Sequence, residues 1–452
     1  MPHSLLAAWH STADRLAEAV AVVEASSGRV WTFEQLRDAA RLAASNRKPG
    51  VLQPACPQVA GVGFLIEVLA AWEAGCVVCP LESGAVAPRA ETWDGVADAH
   101  PSAVLAKSTS GSTGAPRHVL FSADQLLADA RAIMVTMGLD ENRPNVSAIS
   151  LAHSYGFSNL VLPLILGGAP LVLAESALPA ALRGALDIVA AGAAGARQAV
   201  LPGVPALWSA WLAAGVIEAG RVAVAISAGA PLPVEIERRA WEQAGLKIHN
   251  FLGSSECGGI AYDRTDVPRD DPAVVGTPLE GVVLSTDEAG HLVVRSPAVG
   301  LGYWPAEPQS GAAGALRNGT FRTGDIAEPG ESGWRLLGRA SDTVNLAGRK
   351  LHPSEVESVL RGHPAVNECL VFGVPSADPA RGEELVAAVS LRNAEADSWS
   401  ALPAWLGGRL PAWKCPRHWW LEPGLAATNR GKLPRAEWRR RYLAVRSPAP
   451  GG

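Results

Sequence analysis

Two hydrophobic spacings alternate along most of this chain. Between residues 122 and 137, apolar side chains fall at Leu126, Leu127, Ala130, Ile133, Met134 and Met137, the recurrence of one helical face. Ser122 and Gln125 stand in capping-box spacing at its start. Residues 176–191, rich in Ala and Leu, read as another covering helix. Between such stretches lie uninterrupted apolar runs: Val77-Val78, Leu171-Val172-Leu173, Ala199-Val200-Leu201 and residues 222–226. Continuous runs separated by helices predict a parallel sheet covered on both faces. From residue 282 to 334 the texture changes. The segments HLVVRS, GTFRTGDIA and GWRLLGR, joined by Gly-rich turns, predict a small antiparallel, barrel-like section. After residue 341 it changes again. HPSEVESVLRGHPAV predicts a capped helix, with Ser354 and Glu357 in capping-box spacing, and VNECLVFGVPS and ELVAAVSL predict strands. The expected fold is α/β. A large N-terminal domain (1–340) has parallel-rich sheets flanked by helices, a small α+β C-terminal domain (341–442) follows, and residues 443–452 form a frayed tail.

Composition narrows the function. With 452 residues the chain exceeds one ordinary core. Its 48% apolar and 18% charged residues mark a globular protein. A net charge of −5 and the lack of a basic run argue against nucleic acid as a partner. The start, MPHSLLAAWHSTADRL, has no signal-peptide pattern, and the apolar stretch 160–174 is broken by Pro163, Gly167-Gly168 and Pro170. A cytoplasmic protein without a membrane segment is expected. Six cysteines in this length make no disulfide framework. Cys76 and Cys79 form a lone C-x-x-C without a second pair or a histidine near in sequence, so buried structural thiols are expected. The tryptophans of the last domain (Trp399, Trp405, Trp413, Trp419, Trp420 and Trp438) are expected in its core.

One loop stands apart. KSTSGSTGAPRHVLFS joins a predicted strand at 102–106 to another at 119–121, and residues 108–116 carry no bulky side chain. Uncovered backbone N–H groups in such a loop form an anion nest, and Arg117 can grip phosphate with a bidentate fork. A flexible surface turn is the alternative. The Walker pattern is excluded, because Gly114 is followed by Ala-Pro-Arg.

Four further stretches follow in order: HSYGFS (153–158), NFLGSSECGG (250–259), FRTGDIA (321–327) with GRASDTVNLAGRKLHPSEVE (338–357), and TNRGKLPR (428–435). Together with STSGSTGAPR, WTFEQL (31–36) and AAWEAGCVVCPLE (70–82), they make the chain resemble the adenylate-forming superfamily. Its members are the acyl- and aryl-CoA ligases, the adenylation domains of nonribosomal peptide synthetases and firefly-type luciferases. The glycine-aspartate dipeptide usual between the two early motifs is missing and the phosphate loop arrives early, which implies a trimmed N-terminal subdomain. The resemblance implies a two-step reaction. A carboxylate attacks the α-phosphorus of ATP to give an acyl-adenylate and pyrophosphate, and a thiol then displaces AMP.

The resemblance also implies roles. Thr109, Ser110, Gly111, Ser112, Thr113, Gly114 and Arg117 would hold the β- and γ-phosphates, with Arg117 where lysine is usual and His118 where glycine is usual. Glu256 would hold Mg²⁺. Gly229, Ala230, Pro231, Asn250, Phe251, Leu252, Gly253, Ser254 and Ser255 would surround adenine and its neighbouring groups, with Leu252 in place of a stacking aromatic. Asp325 would take the ribose hydroxyls, with Arg339 beside the ribose or α-phosphate. Lys432 would reach the α-phosphate and carboxylate oxygens. Ser341 and Asp342 would be the hinge of a mobile small domain, and Gly348, Arg349 and Lys350 would face the thiol channel. The thiol would belong to CoA or to the phosphopantetheine of an acyl carrier protein.

The acid is read from the pocket motif. Amino-acid-activating relatives carry aspartate where Ser158 stands, and no carboxylate occurs in HSYGFSNLVLPLILGG. A buried ammonium without a counter-ion is costly, so an α-amino acid is not expected. His153 would lie beside the carboxylate or gate its entry. The expected wall is His153, Tyr155, Gly156, Phe157, Val204, Leu207, Ala228, Gly229, Gly253 and Ile260, which suits an aryl or a short- to medium-chain fatty acid. A non-catalytic nucleotide-binding relative and a luciferase-like oxygenase are the alternatives.

Overall fold

The computed structural model describes residues 3–47, 56–58, 61–93, 95–109, 117–305, 316–376, 382–392, 396–425 and 434–446. Among the described residues, fourteen strands join in one sheet. Six of them run parallel in the spatial order Val20–Glu24, Leu171–Leu173, Asn145–Ser147, Ala199–Gly203, Val222–Ser227 and Ile248–Ser254. The apolar runs read from the sequence supply these strands. They are buried on both faces: Trp9, Phe33 and Trp72 pack in one core, and Trp208 and Trp211 in another. Val77-Val78 makes only an isolated parallel bridge, from Val78 to Leu105.

The sheet then changes character without a break. Ile248–Ser254 turns back antiparallel into Gly258–Tyr262, and the antiparallel path continues through Val274–Pro278, Gly333–Arg339, Thr320–Gly330 and His291–Arg295. The antiparallel section thus begins earlier than residue 282 and continues the parallel sheet edge to edge.

A second, three-stranded sheet carries Ala103–Thr109, Arg117–Ser122 and Gly302–Trp304, all antiparallel. Its central strand leads into helix Ala123–Met137, whose capping box forms as the sequence predicts: Ser122 Oγ accepts from Gln125 N, and Gln125 Oε1 accepts from Ser122 N.

Beyond the short turn Ala340–Asp342 lies a region with its own sheet, Val366–Pro375, Glu383–Leu391 and His418–Leu421. Helices Pro353–Arg361 and Ala396–Gly407 cover one face, and Arg435–Arg446 covers the other. The last helix therefore extends past residue 442, where the sequence places the start of a tail. Ser354 does not cap its helix. Its hydroxyl donates instead to Leu337 O at 2.6 Å, while Glu357 accepts from Val371 N at 2.8 Å. Trp399 meets Trp419, and Trp420 meets Trp438, edge to face in the cores. Trp413 packs against the same core as Trp399 and Trp419 and also lines a groove of about 190 Å³ with Leu346, Glu383 and Arg417. No described helix is long and apolar enough to cross a membrane.

Candidate active site

The small-residue loop is the connection of a hairpin. Thr109 pairs with Arg117 across its mouth, and Ser108 with His118 one step below. Ser110, Gly111, Ser112, Thr113 and Gly114 lie outside the described residues. Arg117 is half-buried, with its guanidinium 4.6 Å from the centre of the Tyr303 ring. The Tyr303 hydroxyl donates to Glu256 Oε1 at 3.2 Å. Tyr303 therefore joins the end of the phosphate-type loop to the acid of the NFLGSSECGG stretch. Sequence reading passed over it, since only folding brings Gly302–Trp304 beside Arg117–Ser122.

The Glu256 turn is short because the chain reverses between Ser254 and Gly258. Ser254 Oγ accepts from Glu256 N at 3.2 Å and lies 3.3 Å from Cys257 Sγ. Glu256 O accepts from Gly300 N at 2.9 Å. Gly258 has φ +68°, and a Cβ there would fall 2.0 Å from the Asp129 carboxylate. The glycines of this motif thus permit a close approach to a buried acid.

That acid corrects the reading of Ser158. Its hydroxyl faces no open wall. It donates to Asp129 Oδ2 at 2.6 Å and accepts from Lys107 Nζ at 3.1 Å. A carboxylate does stand beside Ser158, contributed by another helix and already paired with a lysine. Phe157 is buried in the helical core, edge-on to Trp72 at 6.2 Å. Residues 157–161 form a π-helical turn, and turns of that kind redirect side chains near functional sites.

The remaining wall residues divide. Tyr155, Ala228, Phe251, Leu252 and Ile260 gather in one apolar cluster. Tyr155 donates to Ile226 O at 3.4 Å, and burial holds its hydroxyl well above the usual phenol range. Gly229 has φ +85° and approaches Val204. Leu207 packs instead on the Trp208 core. His153 is exposed at the start of the turn, its Nδ1 accepting from Tyr155 N at 3.3 Å. Gly156 is required where it stands, because a Cβ would lie 2.0 Å from Ser150 O.

Asn250 is buried and its side-chain amide donates one N–H to Val274 O at 3.1 Å. Gly253 is exposed, Ser255 half-buried, and Ala230 and Pro231 follow Gly229 on the loop after Val222–Ser227. Asp325 and Arg339 sit opposite each other on adjacent strands and pair at 3.2 Å.

At the expected hinge, Ser341 donates to Asp342 Oδ1 at 3.2 Å. Asp342 also pairs with Arg435 at 3.2 Å. Arg435 bonds Glu357 Oε1 at 2.6 Å as well, which holds the end of the TNRGKLPR stretch beside the hinge. Lys432 itself lies outside the described residues. The hairpin Val344–Leu346 and Arg349–Leu351 turns through Gly348 at φ +83°. Lys350 is exposed on it, and Arg349 lies 5.3 Å from the Trp413 ring.

His118 belongs below the loop. It is buried, 3.2 Å from Ser108 Oγ and 3.8 Å from Cys79 Sγ, and its ring centre is 4.8 Å from that of Trp93. Burial lowers its pKa. The C-x-x-C cysteine thus has a histidine neighbour in space that the sequence hid.

A model of the AMP-binding enzyme family matches residues 99–304, and a model of the AMP-binding enzyme C-terminal domain matches residues 355–432. The chain belongs to the AMP-binding, adenylate-forming enzymes. A feruloyl-CoA synthase of Amycolatopsis is 29% identical to this family member over 74% of its chain and 69% of the relative. An anthranilate–CoA ligase of Pseudomonas aeruginosa is 31% identical over 73% and 65%. Among solved structures, ATP-bound MatB of Rhodopseudomonas palustris superposes with a TM-score of 0.84 at 21% identity, covering 99% of this AMP-binding enzyme and all of MatB.

Proposed function

We propose that the protein is an ATP-dependent, AMP-forming ligase that joins a carboxylic acid other than an amino acid to a thiol. The carrying observation is the Arg117–Tyr303–Glu256 cluster at the mouth of the small-residue loop. A guanidinium and a carboxylate side by side suit a nucleoside triphosphate, which needs a cation at its phosphates and a carboxylate for its metal. The relatives named for CoA ligation of aryl acids support the acid class.

Each residue then has work to do. Two anions must meet in the first step, so charge neutralisation and positioning dominate. The loop 109–114 and Arg117 hold the β- and γ-phosphates, and Lys432 approaches the α-phosphate and the acid. Asp325 accepts the ribose hydroxyls, with Arg339 alongside, and the loop 229–231 with Leu252 borders the base. Mg²⁺ suits Glu256. No three of His, Cys, Asp or Glu gather into a metal cage among the described residues, and Mg²⁺ beside phosphates needs only one or two carboxylates. When bound, it supplies charge to the phosphate oxygens. In the second step, rotation about Ser341 and Asp342 withdraws Lys432 and brings Gly348, Arg349 and Lys350 to the thiol, of CoA or of a carrier-protein phosphopantetheine.

The apolar Tyr155, Ala228, Phe251 and Ile260 favour an aryl or fatty acyl group. Amino acids stay excluded on a new ground: Asp129 is near but buried and paired with Lys107, which leaves no counter-charge for an ammonium. The test is pyrophosphate release over aryl and fatty acids, with CoA and with an acylatable carrier as acceptors. Lys432→Ala should abolish adenylate formation, a loss of about 3 kcal/mol or more, and spare transfer from supplied acyl-adenylate. Equal loss of both steps would overturn the role of Lys432. Preference for phenylalanine over hydrocinnamate would overturn the acid class.

A further inference from the structure

Behind the Glu256 turn lies a buried charged relay. Lys107, Asp129 and Ser158 are each less than 5% exposed. Lys107 donates to Ser158 Oγ at 3.1 Å, and Ser158 donates to Asp129 Oδ2 at 2.6 Å. Asp129 Oδ1 accepts from Gly259 N at 2.9 Å. The ammonium and carboxylate are themselves 3.8 Å apart, and Lys107 Nζ stands 4.8 Å from the centre of the Phe121 ring.

The members come from several of the segments that frame the site. Lys107 is on the strand that enters the phosphate-type loop, and Phe121 is on the strand that leaves it. Ser158 belongs to the π-helical turn after His153. Asp129 projects from helix Ala123–Met137, and Gly259 closes the Glu256 turn. Gly258 and Gly259 let the backbone approach the carboxylate, since a Cβ at Gly258 would collide with it.

An apolar trio would fill this space without desolvating two charges, so the pair is a costly way to gain stability. What a charged pair adds is register, because each group tolerates only a narrow placement of the others. We propose that Lys107, Ser158 and Asp129 are positioning residues that hold the Glu256 turn at a fixed offset from the phosphate-type loop. This rests on the reading of Glu256 as the Mg·ATP carboxylate.

Asp129→Asn keeps the shape and removes the counter-charge of Lys107, while Ser158→Ala removes only the bridge. Both are assayed by pyrophosphate release, with KM measured separately for Mg·ATP and for the acid, and with melting followed in parallel. We expect Asp129→Asn to raise the Mg·ATP KM about tenfold and Ser158→Ala about threefold, in line with a tenfold change per ~1.4 kcal/mol. The acid KM should stay within twofold. Should Asp129→Asn fail to fold, Ser158→Ala decides alone. A fall in melting temperature with both KM values unchanged overturns the proposal in favour of a purely structural pair. An acid KM that rises as much as the Mg·ATP KM overturns it in favour of a pocket role. Glu256→Gln separates the levels. If it raises the Mg·ATP KM while the relay variants are silent, only the relay fails. If it is silent too, the reading of Glu256 falls with it.

Discussion

One hairpin, Ile248–Ser254 with Gly258–Tyr262, is held by charge at both ends, and the ends are built differently. At the open end Lys247 reaches Glu237 and Asp263, each at 2.6 Å. Arg269 gives Nε to Glu237 at 2.6 Å and Nη2 to Leu232 O at 2.8 Å. The second oxygen of Asp263 accepts from Thr265 N and Oγ1. All four charged groups are buried, two of each sign. At the turn end Glu256 and Arg117 are half-buried and share Tyr303, and the relay behind them holds a single pair that touches through a hydroxyl. A saturated, buried network fixes strands. Partly exposed charges on a short turn stay within reach of a ligand.

The largest effect should come from the open end. Glu237→Ala leaves two cations facing one buried anion, and breaking such a network costs about 3–5 kcal/mol. Urea unfolding should report that loss, with the Mg·ATP KM of the folded enzyme within twofold of wild type. A large KM change with little loss of stability would reverse the roles given to the two ends. Next comes Arg117→Ala. A charge-assisted bond to phosphate is worth about 1.5–3 kcal/mol, so ATP use should weaken roughly ten- to a hundredfold. Arg117→Lys should recover much of it. AMP affinity should hold, and equal loss for ATP and AMP would move Arg117 away from the pyrophosphate end. Tyr303→Phe should cost less, about 0.5–1.5 kcal/mol, a few-fold to tenfold in Mg·ATP KM, because its bond to the half-buried Glu256 is long at 3.2 Å and the ring stays under Arg117. An unchanged KM would leave Tyr303 as packing alone.

The contrast also explains what the sequence revealed. The parallel strands were legible because burial on both faces demands unbroken apolar runs such as Leu171–Leu173. The order of the motifs was legible because close approach demands small residues, as Gly258 shows against Asp129. Partners supplied by distant strands were not legible. Tyr303 sits in a segment with no motif of its own, Asp129 falls on a helix read only for its apolar face, and Lys107 opens the loop stretch without a role there; only their pairing across helix and sheet gives them a place. Ser354 was misread for a related reason: its hydroxyl found Leu337 O, a tertiary acceptor that capping-box spacing does not foresee. Phe157 was set in the pocket wall from its motif alone, and its packing against Trp72 from a π-helical turn was not legible there.

The smallest expected effect separates the two ends by pH. Burial raises the pKa of Asp263, but its bonds to Lys247 and Thr265 outweigh that and hold it below the usual value. A carboxyl so depressed adds stability that is full above its unfolded pKa, about 3.9, and is lost as pH falls through its folded one. Lys107 behaves in the opposite sense. Burial lowers its pKa, only partly offset by the Asp129 charge. Between its folded pKa and about 10.4 the unfolded chain binds more protons than the native one, so this group makes stability rise with pH there. Tyr155 and Cys257 oppose that trend, because burial raises their pKa values and their native forms keep protons that the unfolded chain releases. The alkaline limb of the wild type therefore mixes both signs, and a difference measurement is needed. Urea unfolding of wild type, Asp263→Asn and Lys107→Met from acid to alkaline pH supplies it. The advantage of wild type over Asp263→Asn should shrink only at the acid end, while its stability relative to Lys107→Met should improve toward the alkaline end. If the wild-type and Lys107→Met curves run parallel above neutrality, Lys107 does not carry a desolvated charge, and the turn end is held by packing rather than by an ion pair.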